Sequence, residues 1–323
     1  MIVIVSNKWD LTVDFVVLAL QGLDRPFARI NCEDLPSADA SIFLPGFSAQ
    51  LLTSQLRLSF DAVKVVWLRR PGYIFDQLAP EQRPSSVVQL FVEQQWRAWR
   101  DGLEIAPNIH WVNRPSAEQR AENKIRQLQV AKECGLQVPD TAVTNSPRVI
   151  RDFLLKHDYK IVVKALQSPL LEDEGGDRFV FTNPLTSMDD VDESEIRVAP
   201  IIVQQRIIPK IDYRITVVGE QVLAVRVLSE TGQVELDWRT QQAGLRFERC
   251  TLPPRVEAAC RNYVRAMGLR FGAIDLLEAR DQFFFLEINP NGEWGWLQKK
   301  AGVPIAEALT DLLVQLDNDS NEP

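Results

Sequence analysis

The pattern of apolar and polar positions divides the chain into three stretches. In the first, short apolar runs alternate with patterns of helical period, which is typical of buried strands and the helices that cover them. The predicted strands are Ile2–Val5, Phe27–Ile30, Leu56–Phe60 and Val63–Leu68, and the predicted helices are Thr12–Gly22 and Pro84–Glu104. This order favours a small, largely parallel sheet.

The second stretch mixes helices and strands around a polar loop. The predicted helices are Ala117–Cys134 and one that starts at Ser146, and the predicted strands are Thr141–Val143, Lys160–Leu166 and Phe179–Thr182. Gly135 ends the first helix, and Pro147 follows a good capping serine in the second. The polar segment Gln167–Arg178 contains two adjacent glycines and predicts a mobile loop.

The third stretch is mostly β. The predicted strands are Ile201–Ile207, Tyr213–Val218, Gln221–Leu228, Phe271–Glu278 and Gln282–Ile288, and the predicted helices are Pro253–Met267 and near Pro304–Leu316. The last two strands form a hairpin around residues 279–281, because only three residues separate them. The polar segment Asp317–Pro323 predicts a frayed tail.

Composition and charge exclude several classes of protein. Among 323 residues, 36 lysines and arginines face 44 aspartates and glutamates, and the net charge of −8 argues against nucleic-acid binding. No apolar run reaches the roughly 18 residues of a membrane span, and the start Met-Ile-Val-Ile-Val-Ser predicts a strand, not a signal peptide. Four cysteines without a CxxC pair and only two histidines argue against zinc and favour a reduced, cytoplasmic protein.

The strongest chemical signal is a pair of acidic residues in apolar strands. Asp275 lies in Gly-Ala-Ile-Asp-Leu-Leu, and Glu287 and Asn289 lie in Leu-Glu-Ile-Asn-Pro at the end of the partner strand. Residues two apart share one face of a strand, and the hairpin brings Asp275 opposite that end. Two carboxylates and an amide oxygen suit Mg²⁺. The alternative, two solvated acids at strand ends, leaves carboxylates in strands that are otherwise apolar, which is costly.

These residues resemble the metal-binding strands of the ATP-grasp ligases, where an acid and an E-x-N-P ending hold two magnesium ions. Further segments follow in the family's order from about residue 115 onwards. The residues that the resemblance assigns to ATP are Lys124, Lys164, Gln204, Gln205, Ile207, Asp212 and Arg214. The two lysines and Arg214 would face the phosphates. Residues 204–207 would contact the adenine, and Asp212 would bind the ribose. Taken singly, Lys124 is typical of a solvated helix residue, and Asp212 with Arg214 of a surface ion pair.

The resemblance also implies the fold and its division. An α/β (α+β) ATP-grasp fold is expected, with an N-terminal small parallel-sheet domain at 1–114. A central lid subdomain with the phosphate loop would follow at 115–203. A C-terminal antiparallel-sheet subdomain at 204–323 would hold the metal site.

Other segments resemble a narrower group, the microviridin-type or graspetide ligases, which macrocyclise ribosomal peptides. These segments are Val-Trp-Leu-Arg-Arg-Pro at 66–71, Asp237-Trp238-Arg239, and Asn-Pro-Asn-Gly-Glu-Trp at 289–294. The implied substrate residues are Arg69, Arg70, Arg239 and Glu293. Arg239 is the strongest candidate, since a guanidinium grips a carboxylate through two hydrogen bonds. A structural salt bridge is an equal interpretation for the paired arginines, and core packing the better one for Trp238.

The implied reaction activates a carboxylate as an acyl phosphate. A hydroxyl or amine then forms an ester or amide, and ADP and phosphate are released. Mg²⁺ together with Lys124, Lys164 and Arg214 would stabilise the transferred phosphoryl group, and Arg239 would lie near it. The implied partners are a precursor peptide, with leader and core, and a second copy of the chain in a homodimer. The acidic stretch 189–193 suits a basic leader, although a solvated loop is the simpler interpretation.

Two alternatives stay open. A ligase of the same superfamily for small substrates, glutathione-synthetase-like or glutamate-adding, would act on free amino acids, and the segments at 66–71 and 237–239 argue against it. A non-catalytic nucleotide-binding regulatory protein would bind ATP without turnover. The intact set of lysines and acids argues against that second alternative.

Overall fold

A computed structural model describes residues 1–167, 170–171, 178–179, 182–189, 191–229, 238 and 244–319.

The N-terminal part contains two separate sheets. The elements of the N-terminal part are β1 (Ile2–Ser6), α1 (Leu11–Gly22), β2 (Phe27–Asn31), β3 (Asp39–Phe43), β4 (Ser48–Leu52), β5 (Arg57–Ser59), β6 (Val65–Leu68), α2 (Ser86–Gly102) and β7 (His110–Val112). Strands β2-β1-β6-β7 form the predicted parallel sheet.

The second of these sheets corrects the prediction for this region. Strands β3-β4-β5 pair in antiparallel fashion, so the strand expected at Leu56–Phe60 belongs to this sheet. The apolar pattern did not predict β3, because its residues alternate between exposed and half-buried positions. Helix α2 is also less buried than its pattern suggests. Trp96 and Trp99 pack against the core, whereas Leu90 and Phe91 are exposed.

The central part is built on a second four-stranded sheet, with the order β12-β9-β13-β8 and antiparallel pairing. Its elements are α3 (Pro115–Ala121), α4 (Lys124–Glu133), β8 (Thr141–Thr144), α5 (Pro147–Lys156), β9 (Ile161–Lys164), β10 (Leu170–Leu171), β11 (Arg178–Phe179), β12 (Asn183–Leu185), α6 (Glu193–Ile196) and β13 (Ile201–Gln205). The expected loop 167–178 and its glycine pair lie largely outside the described residues.

The predicted continuous helix Ala117–Cys134 is wrong. The chain forms two helices, because Asn123 caps the second by accepting a hydrogen bond from the Arg126 N–H at 2.9 Å. Lys124 is therefore the first residue of α4 and not an interior residue of one long helix.

The C-terminal part carries a five-stranded antiparallel sheet with the order β16-β15-β14-β17-β18. Its elements are β14 (Ile211–Val218), β15 (Gln221–Ser229), β16 (Leu245–Cys250), α7 (Pro254–Ala266), β17 (Phe271–Ala279), β18 (Gln282–Asn289), α8 (Gly295–Ala301) and α9 (Ile305–Asn318). Strand β16 and helix α8 were not predicted. The expected fraying at Asp317 is wrong, because its carboxylate lies 2.8 Å from the Met1 amino group.

One apolar core joins the two ends of the chain. Residues of the parallel sheet and of α1, such as Ile4 and Val16, share it with Phe271 of β17 and Leu309 of α9. The N-terminal sheet is thus packed directly onto the part that carries Asp275 and Glu287. In the described ranges no helix is both long and apolar enough to span a bilayer. The α/β class, with a parallel N-terminal sheet and antiparallel sheets after it, is confirmed.

Candidate functional site

Three charged residues form a row across neighbouring strands of the C-terminal sheet. Arg214 of β14 lies opposite Asp275 of β17, which lies opposite Glu287 of β18. Directly opposed residues project from the same face with Cβ atoms about 4.5–5.5 Å apart, so the three side chains are neighbours. The Nε of Arg214 is 3.2 Å from Oδ1 of Asp275, and both side chains are buried. The predicted opposition of the two acids is confirmed.

Asn289 ends β18 two residues after Glu287 and shapes the turn that follows. Its Oδ1 accepts a hydrogen bond from the Asn291 N–H at 2.9 Å, and its carbonyl accepts one from Gly292 at 3.2 Å. A Cβ at Gly292 would collide with Ala273, the residue directly opposite Asn289. Glycine is therefore required here for the turn to approach β17.

Lys124 connects the central part to this row. Its Nζ lies 3.6 Å from Oε2 of Glu287 and donates a hydrogen bond to the carbonyl of Ala165 at 3.4 Å. Ala165 follows directly after Lys164, the second predicted ATP lysine. The interpretation of Lys124 as an ordinary solvated helix residue is wrong, because its ammonium group contacts both Glu287 and the carbonyl that follows β9.

The second lysine contacts the first residue of the predicted adenine linker, residues 204–207. Lys164 Nζ donates to Oε1 of Gln204 at 2.8 Å, across the β9–β13 pair. Gln204 is buried and donates in turn to Thr141 at 2.9 Å. Gln205 ends β13, and Ile207 lies half-buried in the segment between β13 and β14. The structure thus brings Lys124, Lys164 and the linker together around the β9–β13 region.

Asp212 and Arg214 do not form a surface ion pair. Both are buried, and each has a different ionic partner. Both carboxylate oxygens of Asp212 lie 2.6 Å from Nζ of Lys210, which precedes β14. The carboxylate that the resemblance assigns to ribose is therefore neutralised by a lysine two residues away.

Arg69 occupies a different place from the one that a substrate contact requires. Its side chain is 1% exposed, and Nε lies 3.1 Å from Oδ2 of Asp10. It donates to the carbonyl of Asn291 at 2.7 Å and that of Gly292 at 3.2 Å, and it lies 3.0 Å from Oε1 of Glu293. These contacts support the salt-bridge interpretation. Arg69 ties the parallel sheet to the turn after Asn289.

The other predicted substrate residues are more accessible. Arg70 also pairs with Glu293, and about half of each side chain is exposed. Arg239 and Asp237 lie outside the described residues. Trp238 packs against Trp296 with ring centroids 5.2 Å apart, and the Arg214 guanidinium lies 5.4 Å from its ring centroid. Trp238 thus packs as expected, but its ring also lies against the guanidinium of Arg214.

Three buried residues near the row were missed by sequence reasoning. Asn113 donates to the carbonyls of Phe271 and Pro290 at 3.0 and 3.2 Å. Gln127 of α4 binds the backbone of β18. Burial raises the pKa of the Glu118 carboxyl to about 8, although Asn291 and Asn113 act in the opposite direction. No sequence motif marks these residues.

The donor atoms fit a hard cation. The described part of the chain holds no cluster of three or more His, Cys, Asp or Glu side chains suited to a metal. The candidate donors are instead two carboxylates, Asp275 and Glu287, and the amide oxygen of Asn289. Mg²⁺ accepts such oxygen donors when phosphate oxygens and water complete its octahedral shell. A carboxylate as buried as Asp275 also needs a neighbouring cation, a role that Arg214 fills here.

Solved structures resemble this chain over nearly its whole length. The macrocyclase MdnC of Microcystis aeruginosa, solved with its precursor peptide MdnA, is 26% identical with a TM-score of 0.84, over 98% of this chain and 99% of that one. A RiPP-associated ATP-grasp ligase of Chryseobacterium gregarium, solved with ADP and with leader and core peptides, is 24% identical with a TM-score of 0.84, over 97% and 96%. The second likeness concerns the fold alone.

Relatives found by sequence are described as glutamate ligases. A tetrahydromethanopterin:alpha-L-glutamate ligase of Methanocaldococcus jannaschii is 30% identical over 32% of this chain and 35% of that protein. A probable alpha-L-glutamate ligase of Vibrio atlanticus is 24% identical over 62% and 66%. The chain thus spans between about a third and two thirds of these relatives. A RimK-like ATP-grasp domain matches residues 121–313, which include Lys124, Asp275 and Glu287, and the chain therefore belongs to the RimK-like ATP-grasp family.

Proposed function

We propose that this chain is an ADP-forming ATP-grasp ligase that forms ester or amide cross-links between side chains of a ribosomal precursor peptide. The row Arg214–Asp275–Glu287, with the Lys124 ammonium 3.6 Å from Glu287, carries the proposal. It places two carboxylates between two cations, Arg214 and Lys124, beside the β9–β13 region. That arrangement suits a metal–triphosphate group, whose anionic oxygens need cations on several sides.

ATP would lie between the central and C-terminal sheets. Lys124 and Lys164 would contact its phosphates, residues 204–207 its adenine and Asp212 its ribose. Asp275, Glu287 and Asn289 would hold two Mg²⁺ ions, which, when bound, neutralise charge on the transferred phosphoryl group.

The chemistry requires no side-chain nucleophile. A peptide carboxylate oxygen attacks the γ-phosphorus of ATP, the bond to the β-phosphate oxygen breaks, and ADP leaves. A hydroxyl or amine then attacks the acyl carbon, and phosphate departs with the former carboxylate oxygen. Arg214 and Lys164 would stabilise the charge that builds up on the transferred oxygens. Peptide plus ATP thus becomes a cross-linked peptide, which has lost one water, plus ADP and phosphate.

The peptide substrate is supported by the likeness to MdnC, which extends through the N-terminal domain and not only the catalytic core. Arg70 and Glu293 are half-exposed and remain candidates for peptide contact, and Arg239 remains one from the sequence. Arg69 is better explained as a structural residue. A homodimer and a cytoplasmic location are further parts of the proposal, the latter consistent with free cysteines at 32, 134, 250 and 260.

A second candidate function is addition of glutamate to an acceptor carboxylate. The alpha-L-glutamate ligases found by sequence favour it, because they share the same ATP-grasp core. It uses the same acyl phosphate chemistry but takes a free amino acid as nucleophile. The two functions differ in the mass change of the acceptor, which falls in macrocyclisation and rises when glutamate is added.

The test incubates the purified chain with ATP, Mg²⁺, free glutamate and a short peptide rich in Thr, Ser, Lys, Asp and Glu, to be sought in the reading frames beside its gene. We expect ADP, and a peptide lighter by one water per linkage, measured by chromatography and mass spectrometry. AMP with pyrophosphate would contradict the acyl phosphate mechanism. Incorporation of glutamate in place of water loss would identify the second function.

A further inference from the structure

Strand β18 lies at the edge of the five-stranded sheet, and its outer backbone groups need partners from elsewhere. At one point the main chain provides one, because the carbonyl of Gln137 accepts a hydrogen bond from the Phe285 N–H at 2.7 Å. Near the end of the strand a side chain does so. The Ile288 N–H donates to Oε1 of Gln127 at 3.2 Å, and Nε2 of Gln127 donates to the Ile288 carbonyl at 3.0 Å.

The position of this pair of bonds matters because Ile288 lies between Glu287 and Asn289. The N–H of Ile288 belongs to the planar peptide that joins it to Glu287, and its carbonyl to the peptide that joins it to Asn289. Gln127 therefore holds both peptide planes. Their orientation sets the direction in which the two candidate metal ligands leave the strand.

Gln127 is itself firmly held. It is 3% exposed, and Nε2 also donates to the carbonyl of Ala121, at the end of α3, at 2.7 Å. It lies one helical turn after Lys124, whose ammonium group faces Glu287. The same short helix thus brings one residue to the side chain of Glu287 and another to the backbone beside it.

We infer that Gln127 is a positioning residue that sets the geometry of Glu287 and Asn289 as cation ligands, an inference that rests on the proposed function. Methionine at this site would fill a similar volume but leave the Ile288 N–H and carbonyl without partners. Glutamate would keep an acceptor for the N–H but would place a second acceptor beside two carbonyl oxygens. Both changes free the strand end without touching a ligand.

The experiment measures cation binding directly, with Mn²⁺ as the probe in place of Mg²⁺. Mn²⁺ affinity of the full chain with saturating ADP is followed by electron paramagnetic resonance, for wild type, Gln127→Met and Gln127→Glu. We expect affinity to fall about 10–100-fold in both variants, as for other partners of metal ligands. Gln129→Met, an exposed change on the same helix, should leave it unchanged.

A second control separates positioning from general loss of stability. Leu313→Ala removes a fully buried side chain of α9 and should lower the melting temperature while leaving Mn²⁺ affinity intact. If Gln127→Met and Gln127→Glu bind Mn²⁺ within a factor of about two of wild type, well short of the expected fall, the inference is overturned and the proposed function stands. If wild-type protein with ADP binds no Mn²⁺, the metal site of the proposed function fails and the inference fails with it.

Discussion

Replacing Arg69 by alanine should destabilise the fold more than any change to its neighbour Arg70. The guanidinium of Arg69 is buried against Asp10, whose side chain is only 4% exposed. Removing it leaves that carboxylate without its cation and takes a donor from the carbonyls of Asn291 and Gly292. Breaking a buried ion pair in this way costs about 3–5 kcal/mol.

That loss should be visible as a shift in melting temperature. At about 2–4 °C per kcal/mol for chains somewhat shorter than this one, Arg69→Ala should melt on the order of 10 °C below wild type. The measurement is thermal unfolding followed by circular dichroism. Arg70→Ala is the matched control, because Arg70 and Glu293 are both about half-exposed and such pairs contribute under about 1 kcal/mol.

A second substitution tests the cause of the loss. Asp10→Asn in the Arg69→Ala background removes the uncompensated charge and should recover part of the stability, which a double-mutant cycle quantifies. Equal melting temperatures for Arg69→Ala and Arg70→Ala, within about 2 °C, would refute the reasoning, because that difference corresponds to less than about 1 kcal/mol.

Three further predictions concern the site. Asp275→Asn and Glu287→Gln should lower ADP release at least roughly a hundredfold with unchanged circular dichroism, since each weakens charge compensation of the phosphoryl group; near-normal release at saturating Mg²⁺ would contradict the metal site. The raised pKa of Glu118 should make the free energy of unfolding fall as the pH rises from 4.5 to about 8. In that range the carboxyl ionises in the unfolded chain but keeps its proton in the folded one. Glu118→Gln should therefore gain melting temperature relative to wild type as pH rises, and a constant difference would contradict the raised pKa. Arg239→Ala should slow water loss from the peptide roughly ten- to hundredfold, from a lost charged hydrogen bond; a wild-type rate by mass spectrometry would remove Arg239 from the site.

The acidic pair of the site could be predicted from the sequence because its placement follows short-range rules. Residues two apart share one face of a strand, and a short connection makes two strands into a hairpin, so Asp275 was expected near the end that carries Glu287. Their direct opposition also depends on a register shift between Asp275 and Leu276, which no local pattern predicted.

Local rules failed where a single residue overrode a longer pattern. The apolar period runs through residues 117–134 without interruption, yet the cap at Asn123 divides the helix. Strand β3 was not predicted for a different reason. Ala40 and Ile42 pack against the N-terminal core but are only partly buried, so the apolar alternation that reveals a strand is weak there.

Local patterns in the chain were enough to predict the α/β class and the acidic hairpin, because each depends on neighbouring residues, and the resemblance added the order of the ATP-grasp segments. Only the tertiary structure decided what holds them in place. Arg69 binds a carbonyl 222 residues away, and Gln127 binds one 161 residues away. No local pattern specifies such partners, because their contact depends on how the parallel sheet, α4 and the hairpin pack around a shared core.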